Sequence, residues 1–415
     1  MFIDAFKEIA QLDVLFYTRP DLDISPSTIS MLERSFSKHW DTQIRLSLCP
    51  RFQCREHRSK WELYGAPALN FFKQPGYVST SGPQQIRAFE TCLRREPDAI
   101  FAHRLTSMCP ALLTRKALPP IFLDLDDIEH CTYLRRFKWR WAWRKKVVYC
   151  LQLPALLWGE HRAIRLAQRT FVCSEQDRKY LTGRLHLSGV VTTPNAITTP
   201  TPKLVPVTPA PTLLFLGSYR YQPNVDAANF LIEQIWPYVY RAVPEARLII
   251  AGISPEGICG YGLGIPGVQF TGFVDDLEEL YRSSRVVCAP ILSGGGTRIK
   301  IIEAAAYGKA IVATRVGAEG LDMHDGQELL LRDNPKSFSE ACLELLKDSG
   351  YCKRLGDAAH STVVRRYARD RVIKSIQSHV KKDGYYGPSQ RRNQTLVPSK
   401  PIGRTNQGKS EGDLA

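Results

Sequence analysis

The chain has 415 residues, 44% of them hydrophobic, which predicts two domains with a buried core in each. Its formal net charge of +15 favours acidic partners, namely phosphates, nucleic acids or anionic lipids. The 11 cysteines are scattered and include no Cys-x-x-Cys pair, which argues against a disulfide framework and indicates free thiols in a reducing compartment.

The first half of the sequence alternates helical and strand-like segments. Residues 2–10 are predicted to form a helix, and long helices are expected over 131–170. Short apolar strands are predicted at 13–18, 99–103, 120–127 and 169–175. Strands that alternate with helices predict a parallel, doubly wound sheet, so residues 1–195 are interpreted as a Rossmann-like domain.

The beginning of this domain departs from the usual order. A Rossmann-like domain opens with a strand and a glycine-rich turn, whereas this chain opens with the helix-like residues 2–10. In the order 3-2-1-4-5-6 the first strand is central, and its loss leaves backbone groups unpaired at about 1–3 kcal/mol each. We therefore expect a domain truncated at its start, either because the true start lies upstream or because the gene has decayed.

A proline-rich stretch divides the chain in two. Residues 196–211 are predicted to be a linker. Strands and helices alternate again beyond it, which predicts a second Rossmann-like domain at 212–370. A helix is expected at 371–383, and the Gly-, Ser-, Pro-, Asn- and Arg-rich residues 384–415 are expected to form a disordered basic tail.

One segment of the second domain combines bare backbone with charge. Residues 293–314 read SGGGTRIKIIEAAAYGKAIVAT and follow a predicted strand, at the edge where open α/β sheets bind ligands. Glycines let backbone amides approach an anion, and a helix start favours negative charge. Arg298 and Lys300 add positive charge, while Glu303 suits paired hydroxyls such as those of a ribose. The alternative is a glycine-rich loop with a helix cap and solvated charges.

This segment resembles the donor-site signature of family 4 glycosyltransferases, which have the GT-B fold of two Rossmann-like domains facing a cleft. Glu303 matches the second Glu of that signature, Gly295 replaces the first, and the form GGGTR-x-K resembles a bacterial branch. The resemblance implies that Glu303 holds the ribose of a nucleotide-diphosphate sugar. It also implies that the diphosphate is bound by Gly294, Gly295, Gly296, Thr297, Arg298 and Lys300.

Other residues of the second domain extend the resemblance. Gly217 is expected close to the diphosphate, and Arg220 matches one of two cations that relatives carry after this strand. Lys300 would replace the second cation. The backbone near Val274 is expected to read the base. The resemblance covers about 212–370, and 98–195 less closely.

The first domain offers candidates on the acceptor side. By the resemblance, His103 would position the acceptor or the donor phosphate, and Asp126 or Asp127 would orient the acceptor hydroxyl. The alternatives are a satisfied strand-end histidine and a helix-cap role for Asp127. Asp124-Leu-Asp126 also matches the DxD motif that binds Mn²⁺ in unrelated GT-A enzymes. Because the nucleotide machinery lies in the other domain and offers cations, we expect no metal site. The expected catalytic residues are Arg298, Lys300, His103 and Asp126.

Residues 135–146, RRFKWRWAWRKK, interleave seven cations with aromatic residues. This pattern fits nucleic-acid binding or a membrane-surface helix, or a cationic exterior helix whose tryptophans pack inward. Relatives act on lipid-linked acceptors at the cytoplasmic face of the membrane, so we favour peripheral membrane contact and expect no nucleic acid.

The resemblance implies a retaining, metal-independent glycosyltransferase that needs no cofactor besides its donor. It would move a sugar from a nucleotide-diphosphate sugar to a saccharide or lipid-linked acceptor, in surface polysaccharide or lipopolysaccharide synthesis. The expected location is the cytoplasm or the inner face of the plasma membrane. The alternatives are a GT-B sugar-nucleotide epimerase, which needs no acceptor, and a basic nucleic-acid-binding protein, whose binding would be tight and salt-sensitive.

Overall fold

Strands and helices alternate through the computed structural model, which describes residues 1–53, 59, 61–136, 143–198, 208, 210–294 and 298–384. The strands of the first domain are β1 (Leu12–Thr18), β2 (Ile44–Pro50), β3 (Ile100–His103), β4 (Ile121–Asp126), β5 (Arg169–Val172) and β6 (Val190–Thr192). Its helices are α1 (Phe2–Lys7), α2 (Pro26–Trp40), α3 (Ala66–Leu69), α4 (Pro83–Leu93), α5 (Arg104–Leu113), α6 (Glu129–Arg136), α7 (Trp143–Leu166) and α8 (Glu175–Lys179).

The strands of the first domain form two separate parallel sheets. β1 pairs with β2, and the second sheet has the order β3-β4-β5-β6. The two sheets are not hydrogen-bonded to each other, and within the described ranges no strand pairs with both β1 and β3, where the usual order has its first strand. Leu15 of β1 instead packs against the core that contains Leu105, Met108 and Leu123, and α4 contacts both β1 and β2. Apolar packing therefore joins the two sheets.

The sequence pattern did not predict helix α2 and strand β2, although residues at both ends of α2 carry recognisable helix-capping signals. Ser25 caps α2 by accepting a hydrogen bond from the Thr28 N–H at 3.4 Å, and Pro26 takes the first helical position. Asp41 ends the helix in the left-handed conformation, with φ of 48°. β2 follows and completes the small sheet with β1.

The second domain has one parallel sheet, with the order β12-β11-β10-β7-β8-β9. Its strands are β7 (Thr212–Leu216), β8 (Arg247–Ala251), β9 (Val268–Gly272), β10 (Val286–Ala289), β11 (Ala310–Ala313) and β12 (Leu330–Leu331). Its helices are α9 (Gln222–Phe230), α10 (Trp236–Ala242), α11 (Leu277–Ser283), α12 (Ile299–Ala306), α13 (Pro335–Lys347) and α14 (Ser349–Arg366). In chain order this is the doubly wound order 3-2-1-4-5-6, which confirms the predicted Rossmann-like domain. The strand order reverses between β7 and β10, so their carboxyl ends border the crevice where such sheets bind ligands.

The last helix, α15 (Arg369–Lys382), returns to the first domain. It begins two residues before the predicted helix at 371–383. Its buried apolar side chains belong to one cluster with residues of α1, β4 and β5: Ala5, Phe122, Phe171, Val372, Ile376 and Val380. The predicted tail beyond Gly384 and linker residues 199–207 and 209 lie outside the described residues.

Candidate functional site

Two turns meet at the point where the strand order of the second domain reverses. β7 and β10 are hydrogen-bonded neighbours, so the turn after β7 and the segment leading into α12 lie side by side. Gly217 occupies the first turn, and a Cβ added there would lie 3.1 Å from Lys300 Nζ. Gly294 has φ of +108°, and a Cβ there would lie 2.7 Å from the Tyr221 hydroxyl. The backbone conformation of Gly294 therefore favours glycine, whereas a side chain at 217 would press on the ends of Asn224 and Lys300.

Lys300 reaches from α12 back to the turn after β7. Its Nζ donates a hydrogen bond to Asn224 Oδ1 at 2.9 Å and lies 4.6 Å from the centre of the Phe215 ring. Burial lowers the pKa of Lys300 to about 7, and the charge of Arg298 acts in the same direction, while Glu303 opposes them. The amine can thus gain or lose a proton near neutral pH.

Arg298 and Glu303 flank the same helix start. Arg298 is the N-cap residue of α12, and its Nη2 donates to the Ser293 carbonyl at 3.3 Å. Glu303 lies one turn further along and is partly exposed. Burial raises the pKa of Glu303, although Lys300 and the Tyr281 hydroxyl oppose this shift. The structure therefore brings together three of the residues that the sequence predicted, with cations and a carboxylate around one helix terminus.

The remaining predicted donor residues are distributed differently. Arg220 is exposed, and its Nε donates to Ser254 Oγ at 3.1 Å, beyond the end of β8. Val274 follows β9 and borders a cavity of about 760 Å³. This cavity extends along the face of β7, β8 and β9 toward the amino ends of the strands, where Thr212 and Arg247 line it. Gly295, Gly296 and Thr297 lie outside the described residues.

Two polar pairs occupy the carboxyl ends of β3 and β4 in the first domain. His103 Nδ1 lies 2.7 Å from Asp124 Oδ2, with the imidazole exposed and the carboxylate buried. Arg104 Nη2 lies 2.7 Å from Asp126 Oδ2, and Cys173 Sγ donates to Asp126 Oδ1 at 3.6 Å. The carboxylates of Asp124 and Asp126 are therefore each engaged by a neighbouring side chain.

The backbone at the second pair is strained. Arg104 has φ of +64° and Asp126 has φ of +58°, a backbone region that residues other than glycine rarely adopt. Such residues concentrate at functional sites, where the surrounding structure holds them in place. Within the described ranges, no group of three or more His, Cys, Asp or Glu residues is placed to hold a metal ion.

A hydrogen bond joins the two domains near these strand ends. Gln176 Nε2 in α8 lies 3.4 Å from Glu319 Oε1, in the segment that follows β11. The carboxyl ends of the two large sheets thus border one cleft. The sequence pattern did not single out Arg104 or Asn224, since a lone Arg after a strand and an Asn in a first helical turn are common. The side chains of 135–145 lie outside the described residues.

Comparison with protein families matches residues 210–348 to the family described as glycosyl transferases group 1. An uncharacterized 44.6 kDa protein in the cps region of Klebsiella pneumoniae is 22% identical over 172 residues, which are 40% of this chain and 44% of that protein. The phosphatidyl-myo-inositol mannosyltransferase of Mycolicibacterium smegmatis is 31% identical over 159 residues, 36% of this chain and 40% of that protein. These matches span less than half the length of each relative.

Solved structures resemble the chain over most of its length. The sucrose-phosphate synthase of Thermosynechococcus elongatus matches with a TM-score of 0.61 and 13% identity, over 90% of this chain and 99% of that one. HepE of Anabaena in complex with UDP-glucose matches with a TM-score of 0.57 and 12% identity, over 90% and 100%. WaaG, a glycosyltransferase involved in lipopolysaccharide biosynthesis, matches with a TM-score of 0.56 and 12% identity, over 88% and 98%. Residues 210–348 therefore match the group 1 glycosyltransferase family, and the chain has the GT-B fold of two Rossmann-like domains.

Proposed function

We propose that this protein moves a sugar from a nucleotide-diphosphate sugar to a saccharide or lipid-linked acceptor. The observation that carries the proposal is the convergence of Arg298, Lys300 and Glu303 beside the Gly217 turn, at the point where the strand order reverses. A diphosphate fits cations and bare backbone at a helix start. A carboxylate one helical turn away fits the paired hydroxyls of a ribose.

The two cations would also promote the chemistry. Negative charge builds on the leaving nucleoside diphosphate as the sugar departs, and fixed positive charge there stabilises the transition state. Arg298 offers a planar fork that can grip two phosphate oxygens, and Lys300 offers a compact charge. Because these side chains supply the charge that a metal ion supplies in other transferases, the proposed reaction is metal-independent. The proposed transfer retains the anomeric configuration.

The first domain would position the acceptor and the transferred sugar. Asp124 holds the His103 imidazole through Nδ1, so the other ring nitrogen can bond to a sugar or an acceptor hydroxyl. Asp126 is engaged by Arg104. Its proposed role is therefore to orient the acceptor together with Arg104, instead of removing a proton alone.

The biological setting is proposed from the relatives. WaaG takes part in lipopolysaccharide biosynthesis, and the Klebsiella relative is encoded in a cps region. HepE was solved with UDP-glucose. These neighbours support a role in the synthesis of a surface polysaccharide or lipopolysaccharide, with a nucleotide sugar as donor.

We further propose peripheral contact with the inner face of the plasma membrane. Val147, Leu151 and Trp158 are exposed on one face of α7, directly after the predicted cationic segment 135–146. The Arg162 guanidinium lies 5.2 Å from the centre of the Trp158 ring. In the part of the chain that the structure describes, no helix has the length and apolar character needed to cross a bilayer. Leu151→Glu should reduce sedimentation of the protein with phosphatidylglycerol vesicles. Tyr238→Glu, at an exposed site on α10, is the control and should not reduce it. Equal sedimentation of both variants would refute this contact.

Activity is tested with a panel of UDP-, GDP-, ADP- and dTDP-sugars, with and without saccharide or lipid-linked acceptors. The expected result is acceptor-dependent transfer that survives EDTA, with the donor's anomeric configuration retained in the product by NMR. Conversion of a donor without acceptor would indicate an epimerase. Salt-sensitive binding of DNA or RNA that nucleoside diphosphates do not compete away would indicate a nucleic-acid-binding protein. Loss of activity in EDTA and its rescue by Mn²⁺ would indicate a metal site at Asp124 and Asp126.

A further inference from the structure

One amide side chain joins the two turns of the candidate diphosphate site. Asn224 lies in the first turn of α9, and its Nδ2 donates to the Ser218 carbonyl at 2.8 Å. Its Oδ1 accepts a hydrogen bond from Lys300 Nζ at 2.9 Å. An ammonium donates and a carbonyl accepts, so both partners select the same orientation of the amide. Asn224 therefore bridges the turn after β7 and the helix after β10.

The bridge fixes where the Lys300 amine lies. A Cβ on Gly217 would come within 3.1 Å of Lys300 Nζ and 3.0 Å of Asn224 Nδ2, so both groups lie against the bare backbone of that turn. The Phe215 ring, 4.6 Å from the amine, also favours a cation there. The charged groups that act on the amine are Arg298, which disfavours its protonation, and Glu303, which favours it.

We propose that Asn224 is a positioning residue that holds the Lys300 amine at the Gly217 turn, so that the amine meets the donor diphosphate as an ammonium. This inference rests on the proposed function and specifies how one of its two cations is placed. The Asn224 carbonyl stabilises the ammonium in the empty site, and the diphosphate stabilises it further.

Donor binding is expected to be coupled to protonation of Lys300. Burial and the charge of Arg298 lower the pKa of Lys300 to about 7. A fraction of the protein molecules therefore carries a neutral Lys300 amine at neutral pH. In the molecules whose amine is neutral, binding of the diphosphate then draws one proton from solvent onto Nζ. Donor affinity is therefore expected to be constant at low pH and to fall as the pH rises above about 7, because each binding event must take up a proton.

The test is a double-mutant cycle read by calorimetry with UDP-glucose and GDP-mannose, whose diphosphate diesters keep their charge between pH 6 and 8.5. The variants are Asn224→Leu, which removes both hydrogen bonds at similar size, Lys300→Met, and the two together. Asn229→Leu is the matched control, since Asn229 lies on the same helix and its Oδ1 accepts from the Cys259 N–H at 2.8 Å instead.

Each single variant should weaken donor binding about tenfold at pH 7, the value of one charge-assisted hydrogen bond. The double variant should bind no more weakly than Lys300→Met, because Asn224 acts through the lysine. Wild-type affinity should fall severalfold between pH 7 and 8.5. In Asn224→Leu the fall should begin at lower pH, in Lys300→Met it should vanish, and Asn229→Leu should behave as wild type.

A second variant keeps the acceptor for Lys300 but removes the donor to the Ser218 carbonyl. Asn224→Asp retains an acceptor for Lys300, and its carboxylate should hold the amine protonated through pH 8.5, so the pH dependence should disappear. Equal weakening by Asn224→Leu with and without Lys300 would overturn the positioning role and leave the proposed function standing, as would a flat wild-type profile. If neither nucleotide sugar binds the folded wild-type protein, the proposed function and this inference both fail.

Discussion

Arg369 Nη2 lies 2.6 Å from Asp4 Oδ2, so the first residue of the last helix is bound to the first helix of the chain. Gln377 Nε2 extends this contact by donating to the Ala5 carbonyl at 3.1 Å. At the far end of α15, Arg169 Nη2 lies 2.5 Å from Asp383 Oδ1. The chain therefore leaves the first domain, builds the second, and returns to finish the packing of the first.

Ile376→Ala should destabilise the protein. Ile376 is fully buried in the cluster that α15 forms with Phe122 and Phe171, and truncation of such a side chain costs about 2–5 kcal/mol. Lys374→Ala, on the exposed side of the same helix, should change stability by less than about 0.5 kcal/mol. The melting temperature measures the effect of both substitutions. Deletion of residues 385–415 should leave the melting temperature unchanged. Equal melting of the two variants would show that α15 does not contribute to this core.

Glu303→Gln should weaken donor binding at least tenfold. The substitution keeps the size of the side chain but replaces a charged acceptor, and charged hydrogen bonds contribute about 1.5–3 kcal/mol. Glu340→Gln, an exposed change on α13, is the control. Calorimetry with the accepted nucleotide sugar measures the effect. Unchanged affinity in a folded Glu303→Gln protein would remove the ribose role.

Arg298→Ala should lower turnover more than donor affinity. The charge on the leaving diphosphate grows in the transition state, so the lost contact matters more there than in the ground state. Steady-state kinetics combined with direct measurement of donor affinity separates the two effects. Equal losses would indicate uniform binding of ground state and transition state.

Asp124→Asn should reduce turnover while donor affinity stays close to that of wild type. Asp124 is buried and bonds to His103 Nδ1, so the substitution changes the orientation and charge balance of the imidazole without opening a cavity. Asp127→Asn, in the next turn, is the comparison variant. The prediction is wrong if Asp124→Asn keeps full turnover with a saturating acceptor.

A buried pair should make stability depend on pH. His130 Nδ1 contacts Glu160 Oε2, and His130 Nε2 lies 2.8 Å from the Tyr180 hydroxyl. Burial alone would lower the pKa of His130, but hydrogen bonds and the charge of Glu160 raise it to about 11. A pKa above the unfolded value of about 6.5 stabilises the folded state fully at low pH. This contribution is lost as the pH rises from about 6.5 toward 11.

The slope of stability against pH measures this pair. Between pH 7 and 9 the free energy of unfolding should fall by about 1 kcal/mol per pH unit, because the folded state holds a proton that the unfolded state releases. In His130→Gln this decline should be absent. His39→Gln, at an exposed histidine of α2, should keep the wild-type slope. Identical slopes for wild type and His130→Gln in urea titrations would show that His130 is neutral.

The sequence was sufficient for the architecture of the second domain. Its strands are short, apolar and separated by helical segments, and this pattern depends only on which faces must be buried. Gly294, Arg298, Lys300 and Glu303 are close together along the chain, so a helix start places them together once the strand before it is recognised. The strand β2 was missed although residues 44–48 alternate apolar and polar side chains, the pattern of a half-buried strand.

Other features depend on contacts between distant residues. Asn224 and Lys300 are 76 positions apart, and they meet only because β7 and β10 pair in the sheet. His103 and Asp124 meet only because β3 and β4 pair in the sheet, and Arg104 was not singled out until β4 placed Asp126 within reach.

The sequence by itself determined the alternation of strands and helices, the division near the proline-rich linker, and the group of charges at the start of α12, because all of these follow from local composition and spacing. Only the tertiary structure decided that α15 completes the first domain, that Asp126 is paired with Arg104, and that Lys300 lies against the Gly217 turn. The physical reason is that strand order and helix packing bring these groups together from separate elements of the chain, and their charge, burial and hydrogen bonding are set by those neighbours.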